Sequence, residues 1–374
     1  MKSDKTTPNV PTLRFKQYHC PWSTYHLSDI AEVVGGGTPD TTVSSLWNGD
    51  IQWFTPTEVG HQKYVSKSAR TITQLGLQKS SAKKLPAGSI LLSSRATIGE
   101  CSIAQRECTT NQGFQNLIPK KDTNNEFLYY LAQTKKHHFI KYASGSTFLE
   151  ISNSEIKKTK CTVPGTEEQT QIAAFLSALD DRIAVQNKII SKYETLIKGL
   201  CDMIFRHDKS ASLSDLVKCK TSALQENMVS TCPRGEYKVL GASGAIAVID
   251  TYQFDESGIL ILKDGSKAGK IQFAQGKYSV IGTSVVLIPN EACDARYLYF
   301  AMSSIDFEKY KVGSGIPHIY FKDYSNERIY YPDKALRKKI TKTLDFYETM
   351  VEIERKMLSA MQKQKAFLLQ SMFI

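Results

Sequence analysis

Two carboxylates and a lysine near the C-terminal end of the sequence have the spacing of a nuclease motif. Pro-Asp at 332–333 and Glu-Arg-Lys at 354–356 match the PD-(D/E)-x-K pattern, in which clustered carboxylates hold a metal ion. However, Glu354 and Lys356 lie in a segment with helical periodicity, and residues two apart on a helix do not face each other. The pattern therefore gives a nuclease little support.

No other catalytic motif is evident in the sequence. GGGTP (35–39) lacks the Lys-Ser/Thr of a P-loop, and GASG (241–244) lacks the strand–GxGxxG–helix spacing of a dinucleotide site. The seven histidines and eight cysteines show no metal-ligand spacing, so we expect reduced thiols and no structural zinc. The N/D-P-P-Y/F motif of adenine methyltransferases is also missing. Catalysis is therefore not visible in the sequence.

Two loops carry side chains suited to nucleic acid. LSSRATIG places Arg95 and Thr97 between two β-like runs, and the matching LKDGSKAGK places Lys263, Lys267 and Lys270 there. Cationic and hydroxyl side chains on a glycine-bearing loop can contact phosphates and base edges. Each loop alone is equally compatible with a solvated turn. Their occurrence at matched places favours a shared binding role.

The charge balance agrees with an anionic partner. The sequence has 48 Lys and Arg against 37 Asp and Glu, a formal net charge of +11. Summed positive charge of this kind attracts phosphate, although many basic proteins bind no particular anion. The amides of TTNQGFQN (109–116) are in addition able to pair with adenine edges.

The elements that must position these loops form a mixed α/β pattern. From Tyr25 onward, short β-like runs alternate with Gly, Pro and Asn breaks, and a helical stretch at 124–143 interrupts them. A length of 374 residues allows two such domains. Residues 1–20 are polar and aperiodic, which predicts a mobile arm. No apolar run approaches a membrane span, so we expect a cytoplasmic protein without membrane contact.

A heptad repeat is the clearest pattern in the sequence. Nine of ten seam positions are apolar in a first segment, and eight of ten in a second segment that follows 168 residues later. β-Branched residues at the a positions of the first favour two-stranded packing. The alternative is an ordinary amphipathic core helix, which rarely keeps a 3.5-residue period so long. The seams are Ile172, Leu176, Leu179, Ile183, Gln186, Ile190, Tyr193, Ile197, Leu200 and Ile204, then Ile340, Leu344, Tyr347, Val351, Glu354, Leu358, Met361, Lys365, Leu368 and Met372.

Gln186 and Glu354 are polar residues in the same slot of the two seams. Each seam needs a partner, and the other copy is the obvious one. A polar seam residue costs stability and can fix the register, so we predict that these two residues set where the helices lock. The alternative is that both are tolerated imperfections.

The segments before the two helices also repeat. LSDI (27–30) matches LSDL (213–216), and the run 88–104 matches 258–274 at a constant offset of 170. The framework recurs while the loop residues differ. This is the pattern expected of duplicated domains that read different targets.

Three features identify a family: the duplicated order, the run EEQTQIAAFLSALDDRI (167–183) and the run GSGIPHIYFKDY (313–324). Together they resemble the specificity subunit of type I restriction-modification enzymes over residues 24–374. The resemblance implies two mixed α/β (α+β) target-recognition domains in tandem, each followed by a long helix, with the helices paired as an antiparallel coiled coil. The predicted parts are a mobile arm at 1–20, domains at 21–163 and 207–331, and helices at 164–206 and 332–374.

The resemblance also implies a function without catalysis in this chain. The subunit would read a bipartite target in double-stranded DNA and direct methylation and restriction by two methyltransferase subunits and by restriction-translocase subunits. S-adenosylmethionine, ATP and Mg²⁺ would belong to those partners. The DNA-binding residues carried over are Thr38, Arg95, Thr97, Asn111, Gln112, Ser146 and Thr147 in the first domain, and Lys263, Lys267, Lys270, Ser314 and His318 in the second.

The chain departs from the family pattern in two places. GSTFLEISNSEI (145–156) shares little chemistry with its counterpart at 313–324, so the two recognition faces should differ. The second helix begins ALRKKI where the first has EEQTQI, so the two need not dock a methyltransferase identically. A hypothesis from another class is a coiled-coil scaffold whose globular ends bind protein.

Overall fold

The computed structural model describes residues 9–145, 149–206, 210–229, 235–291, 294–313 and 315–374. The chain divides into two compact units, one made of Met1–Val185 with Leu358–Ile374 and the other of Gln186–Met357. Each unit contains one mixed α/β domain and parts of the long helices α6 (Thr166–Phe205) and α11 (Lys334–Met372). In the described part of the chain, no helix is long and apolar enough to cross a membrane.

The first domain is built on mostly antiparallel sheets, in which β3–β8 and β4–β7 pair in parallel, with short helices between the strands. Its sheets have the orders β2-β9-β6-β7-β4, β5-β3-β8 and β1-β10. The strands are β1 (Ser23–His26), β2 (Ala31–Gly35), β3 (Trp47–Phe54), β4 (Tyr64–Val65), β5 (Arg70–Ile72), β6 (Ile90–Leu92), β7 (Cys101–Ala104), β8 (Thr109–Thr110), β9 (Gln115–Pro119) and β10 (Lys160–Val163). The helices are α1 (Leu27–Ile30), α2 (Gln74–Gln78), α3 (Asn125–Thr134), α4 (Lys136–Lys141) and α5 (Asn153–Lys158), with 3-10 turns at Ser44–Leu46 and Pro56–Glu58.

The second domain has the same plan. Its sheets have the orders β12-β18-β15-β16, β14-β13-β17 and β11-β19. The strands are β11 (Ala211–Ser212), β12 (Val217–Thr221), β13 (Tyr237–Gly241), β14 (Gly244–Ile249), β15 (Gly258–Leu262), β16 (Ile271–Ala274), β17 (Tyr278–Val280), β18 (Ser284–Pro289) and β19 (Arg328–Ile329). The helices are α7 (Leu213–Leu216), α8 (Glu226–Val229), α9 (Ala295–Met302) and α10 (Phe321–Tyr324), with a 3-10 turn at Glu308–Tyr310.

The repeat extends to strand register. β2 runs antiparallel to β9 with Ala31 opposite Pro119, and β12 runs antiparallel to β18 with Val217 opposite Pro289. In the three-stranded sheet of each domain, the central strand has one parallel neighbour, which is β8 in the first domain and β17 in the second. The predicted tandem of mixed α/β domains is therefore confirmed.

The constant offset of 170 between the two copies is wrong at one strand. Ile90 faces Ile103 across β6 and β7, whereas Ile259 faces Phe273 across β15 and β16. β6 therefore aligns with β15 at an offset of 169 and β7 with β16 at 170. The loop of the second domain carries the extra residue, so the counterpart of Arg95 is Asp264.

The seam of the predicted heptads is the buried stripe of both long helices. All of the seam residues are buried or half-buried, and none is exposed. In the first unit, Leu176 and Leu368 join the core formed by the main sheet and α3. In the second unit, Ile340 and Leu344 join the corresponding core with α9. The helices therefore complete the domain cores as well as packing on each other.

The pairing of the helices is antiparallel. In the second unit, Gln186 donates its amide to the carboxylate of Glu354 and, at 3.1 Å, to that residue's backbone carbonyl. Further along, the rings of Tyr193 and Tyr347 lie 6.4 Å apart. As the residue number rises on one helix it falls on the other, as the resemblance implied. The structure thus brings the two predicted register residues together, while their role stays a prediction.

The predicted N-terminal arm is anchored where the structure describes it. Arg14 forms a two-pronged ion pair with the buried Glu168 of α6, with both N–O distances 2.7 Å. Phe15 packs edge to face on Phe175 at 5.8 Å. The expectation of mobility is corrected for this part of the arm, whose ion-pair partner lies 154 residues away in sequence. The first eight residues lie outside the described part of the chain.

The junction of each domain with its long helix uses matched positions but different chemistry. In the first unit, Gln169 accepts a hydrogen bond from the backbone N–H of Asn124 at 3.0 Å. In the second, Arg337 and Asp294 form a buried ion pair with N–O distances of 3.1 and 3.0 Å. Burial lowers the pKa of Arg337, but its hydrogen bonds to Asp294 and the negative charge of that carboxylate together leave the pKa raised. The basic start of the second helix therefore has a structural role inside its own unit.

We expect Asp294→Asn alone to lower the free energy of unfolding of the second unit by about 3 kcal/mol, because it leaves the buried Arg337 without a counter-charge. Adding Arg337→Gln should restore most of the loss, since it reproduces the neutral pair of the first unit. Hydrogen exchange of the α9 amides at increasing urea measures both. Equal destabilisation of the single and double variants would contradict this account.

The register role predicts a change when Gln186 and Glu354 are both replaced by leucine. Cysteines introduced at Tyr193 and Tyr347 should crosslink in the otherwise native chain, and cysteines at Tyr193 and Ile340, one heptad away, should not. With both polar residues removed, the shifted crosslink should appear, because an apolar seam no longer distinguishes registers. An unchanged crosslinking pattern and oligomeric state would refute the register role.

Candidate nucleic-acid interface

Three loops of the first domain meet at the ends of its strands. Gly37, in the β2–β3 loop, donates its backbone N–H to Thr110 O at 2.8 Å. Ser94, in the β6–β7 loop, donates to Gly113 O of the β8–β9 loop, also at 2.8 Å. These backbone bonds bring together the loops that carry the predicted residues of this domain.

Thr38 and Gln112 are in direct contact. The hydroxyl of Thr38 donates to Oε1 of Gln112, which is exposed. The contact orients the amide and leaves its NH₂ group as a donor toward solvent, as pairing with an acceptor on a base edge requires. Asn111 is different, because its Oδ1 accepts from Gly113 N at 2.9 Å and so shapes the turn.

Arg95 is exposed but has a carboxylate partner. Its guanidinium lies 2.7 Å from Glu150, and the two residues pair as an isolated antiparallel bridge. Thr97 donates its hydroxyl to Ser93 Oγ at 3.1 Å, so this hydroxyl is used in a hydrogen bond within the loop. Glu150 could not be predicted as the partner of Arg95, because it belongs to a loop that is distant in the sequence. Ser146 and Thr147 lie outside the described residues.

The second domain repeats this bridge with an aspartate in the place of the arginine and a histidine opposite it. Asp264, the counterpart of Arg95, faces His318, and Oδ1 of the aspartate lies 2.8 Å from Nδ1 of the imidazole. The backbone around the pair is the same: Ile319 N donates to Lys263 O at 2.9 Å, as Ile151 N donates to Ser94 O at 3.1 Å in the first domain. The contact between the two loops is thus kept while its side chains differ.

The predicted lysines of the second domain separate into two places. Lys263 adjoins the Asp264 bridge, and Lys267 closes the loop by accepting at its backbone carbonyl from Lys270 N at 3.0 Å. Lys270 lines a groove of about 1210 Å³ whose other lining residues include Arg296 and three carboxylates. In the described part of the chain none of these three ammonium groups forms an ion pair, so all three are available to anions. Ser314 lies outside the described residues.

The nuclease-like carboxylates are far apart. Asp333 accepts from Leu336 N at 3.0 Å and so caps α11, while Glu354 lies 21 residues farther along the same helix, about 30 Å at 1.5 Å per residue. Within the described ranges, no group of three or more His, Cys, Asp or Glu side chains is arranged to hold a metal ion. These carboxylates therefore share no site.

The β6–β7 loop holds one non-glycine residue in the left-handed region, Ala96 with φ 56°. Its counterpart in the second domain is Gly265, with φ 90°. Ala96→Gly should raise the free energy of unfolding of the first unit by about 1 kcal/mol, because glycine adopts this φ without strain. Thr97→Gly is the matched control and should lower it. Tryptophan fluorescence during urea unfolding reports on this unit, which holds Trp22, Trp47 and Trp53; a lower stability for Ala96→Gly would contradict the prediction.

Comparison with known proteins agrees with the tandem of domains. Residues 20–195 and 209–362 match the family described as type I restriction modification DNA specificity domain. The chain is 42% identical over 178 residues to the specificity subunit of the type I restriction enzyme MjaIX of Methanocaldococcus jannaschii. The matched region covers 46% of this chain and 41% of that protein. The EcoR124I/EcoR124II specificity subunit of Escherichia coli is 28% identical over 45% of this chain and 43% of its own length. These matches span less than half of either relative.

A solved structure extends the likeness to the whole fold. The crystal structure of the S subunit of a type I restriction-modification system from M. genitalium covers 98% of this chain and 99% of its own, with a TM-score of 0.63 at 16% identity. The same fold therefore forms from largely different side chains. With both of its domains matched, the chain belongs to the family of type I restriction-modification DNA specificity domains.

Proposed function

We propose that this chain is the specificity subunit of a type I restriction-modification complex. Each domain reads one half of a split target in duplex DNA, and the chain directs methylation and restriction that its partner subunits carry out. The observation that carries the proposal is the pair of matched loop clusters, which share a backbone frame and differ in the side chains that they present. Arg95 with Glu150 in one cluster and Asp264 with His318 in the other are the sharpest example.

The side chains of the two clusters suit different kinds of contact with DNA. Gln112, oriented by Thr38, offers amide donors that can reach base edges. Lys263 and Lys267 carry charges without an ion-pair partner in the described ranges, as contacts to phosphate need. Amide donors suited to base edges thus lie in the first cluster, and cations suited to phosphate lie in the second.

The proposed partners are those that membership of this family implies. We assign adenine methylation to two methyltransferase subunits and cleavage to restriction-translocase subunits, which bring S-adenosylmethionine, ATP and Mg²⁺. The outer faces of α6 and α11 are the natural docking surfaces for them. The second helix begins ALRKKI where the first has EEQTQI, so the two methyltransferase copies need not dock identically.

Salt dependence of DNA binding separates this function from a protein-binding scaffold. We expect log K for duplex DNA to fall linearly with log salt, with a slope set by the number of phosphates that the chain neutralises. The measurement uses the full chain with its co-expressed methyltransferase and a duplex library of random sequence. Binding that is absent, or independent of salt, would contradict the proposal and favour the scaffold.

A further inference from the structure

A cation rests on an aromatic platform beside the loop that carries Thr38. The Cζ atom of Arg70 lies 3.6 Å from the ring centroid of Trp47 and 5.6 Å from that of Trp53. The two indoles meet edge to face with centroids 5.0 Å apart. Both indoles are buried, at 6% and 4% exposure, whereas Arg70 is exposed. The charge is therefore held against a rigid surface and still faces solvent.

The same indoles hold the loop. The indole N–H of Trp53 donates to Gly37 O at 2.9 Å, and that of Trp47 donates to Asp40 O at 3.0 Å. Thr38 lies between these two anchor points in the sequence. One aromatic pair thus fixes a cation and a recognition loop relative to each other.

The backbone under Arg70 is fixed as well. Arg70 lies directly opposite Trp53 across β5 and β3. The hydroxyl of Ser68 donates to Arg70 O at 2.6 Å, and Ser68 is itself held by Gln52, whose Oε1 accepts from Ser68 N at 2.7 Å. Little backbone freedom remains to be lost when Arg70 binds a ligand.

The charge of Arg70 is not neutralised by its neighbours. In the part of the chain that the structure describes, its guanidinium enters no ion pair. The carboxylate of Glu58 accepts from Ala69 N at 2.7 Å and from Thr55, so both oxygens are used. Asp40 accepts from Thr42, whose side-chain and backbone hydrogen bonds hold the pKa of Asp40 below its ordinary value.

We propose that Arg70 is a binding site for a backbone phosphate of duplex DNA, next to the bases that the Thr38 loop contacts; this inference rests on the proposed function. A guanidinium stacked on an aromatic face keeps its edge N–H groups for a phosphate, to which it binds with two parallel hydrogen bonds. A phosphate contact carries no sequence information and fixes the register of the domain on the duplex. Arg70 thereby positions the loop over its half-site.

The test measures duplex affinity of the full chain, purified with its methyltransferase partner, on a target duplex and on a scrambled one. Arg70→Gln should weaken both about tenfold and reduce the salt slope by about one, as the loss of one phosphate contact requires. Arg70→Lys keeps the positive charge but not the planar guanidinium, so its affinity for both duplexes should lie between those of the native chain and Arg70→Gln. Lys84→Gln is the matched control, since it removes one charge from a lysine paired with Glu107 at 2.8 Å and should change affinity little.

The outcomes separate the inference from the function beneath it. If the native chain binds DNA and Arg70→Gln behaves as Lys84→Gln does, the phosphate site is refuted and the proposed function stands. If only target binding weakens, Arg70 reads a base and the inference is overturned. If the native chain shows no salt-dependent binding, the proposed function fails. Urea unfolding followed by far-UV circular dichroism confirms that each variant keeps its fold, because removing Arg70 from the face of Trp47 changes tryptophan fluorescence by itself.

Discussion

Burial of apolar side chains along the α6–α11 seam is the interaction on which the rest of the structure depends. Each buried leucine or isoleucine contributes about 1.5–3 kcal/mol by leaving water. Leu176 and Leu344 are fully buried, the first in the core of one unit and the second in the core of the other. The seam residues therefore stabilise helix pairing and domain folding together, and a weakened seam would cost both.

Polar residues interrupt this seam at places where each meets a polar partner on the other helix. Gln186 meets Glu354 in the second unit, and in the first unit Lys365 forms an ion pair with Asp180 at 2.6 Å. Tyr130 of α3 donates its hydroxyl to the same aspartate at 2.7 Å, so this pair also ties the helices to the domain. Such groups favour one arrangement because any other leaves a polar group buried without a partner.

The framework could be predicted from the sequence because it repeats and because its period is local. Each such feature can be recognised within one stretch of chain. These features are the heptad seam, the matched LSDI and LSDL segments and the tandem order. The helices α6 and α11 accordingly begin within two residues of the predicted 164 and 332. Pairing Gln186 with Glu354 needed only the further assumption that the two seams face each other.

The candidate site was less predictable because its side chains are defined by partners from distant segments. Arg95 was identified, but its neutralising partner Glu150 was not, and Arg70 gave no signal because nothing in the sequence places it on Trp47. A one-residue insertion in the β15–β16 loop hid the correspondence with Asp264. Loop chemistry follows from tertiary contacts, which a residue pattern does not encode.

We propose above all that one chain specifies a DNA target site in two halves, each of which is read by one domain. The most direct measurement is to co-express the chain with its methyltransferase and map N6-methyladenine across the DNA. The account predicts one split motif, modified on both strands, with an unread spacer between its halves. Methylation without a bipartite motif, or no methylation that depends on this chain, would contradict it.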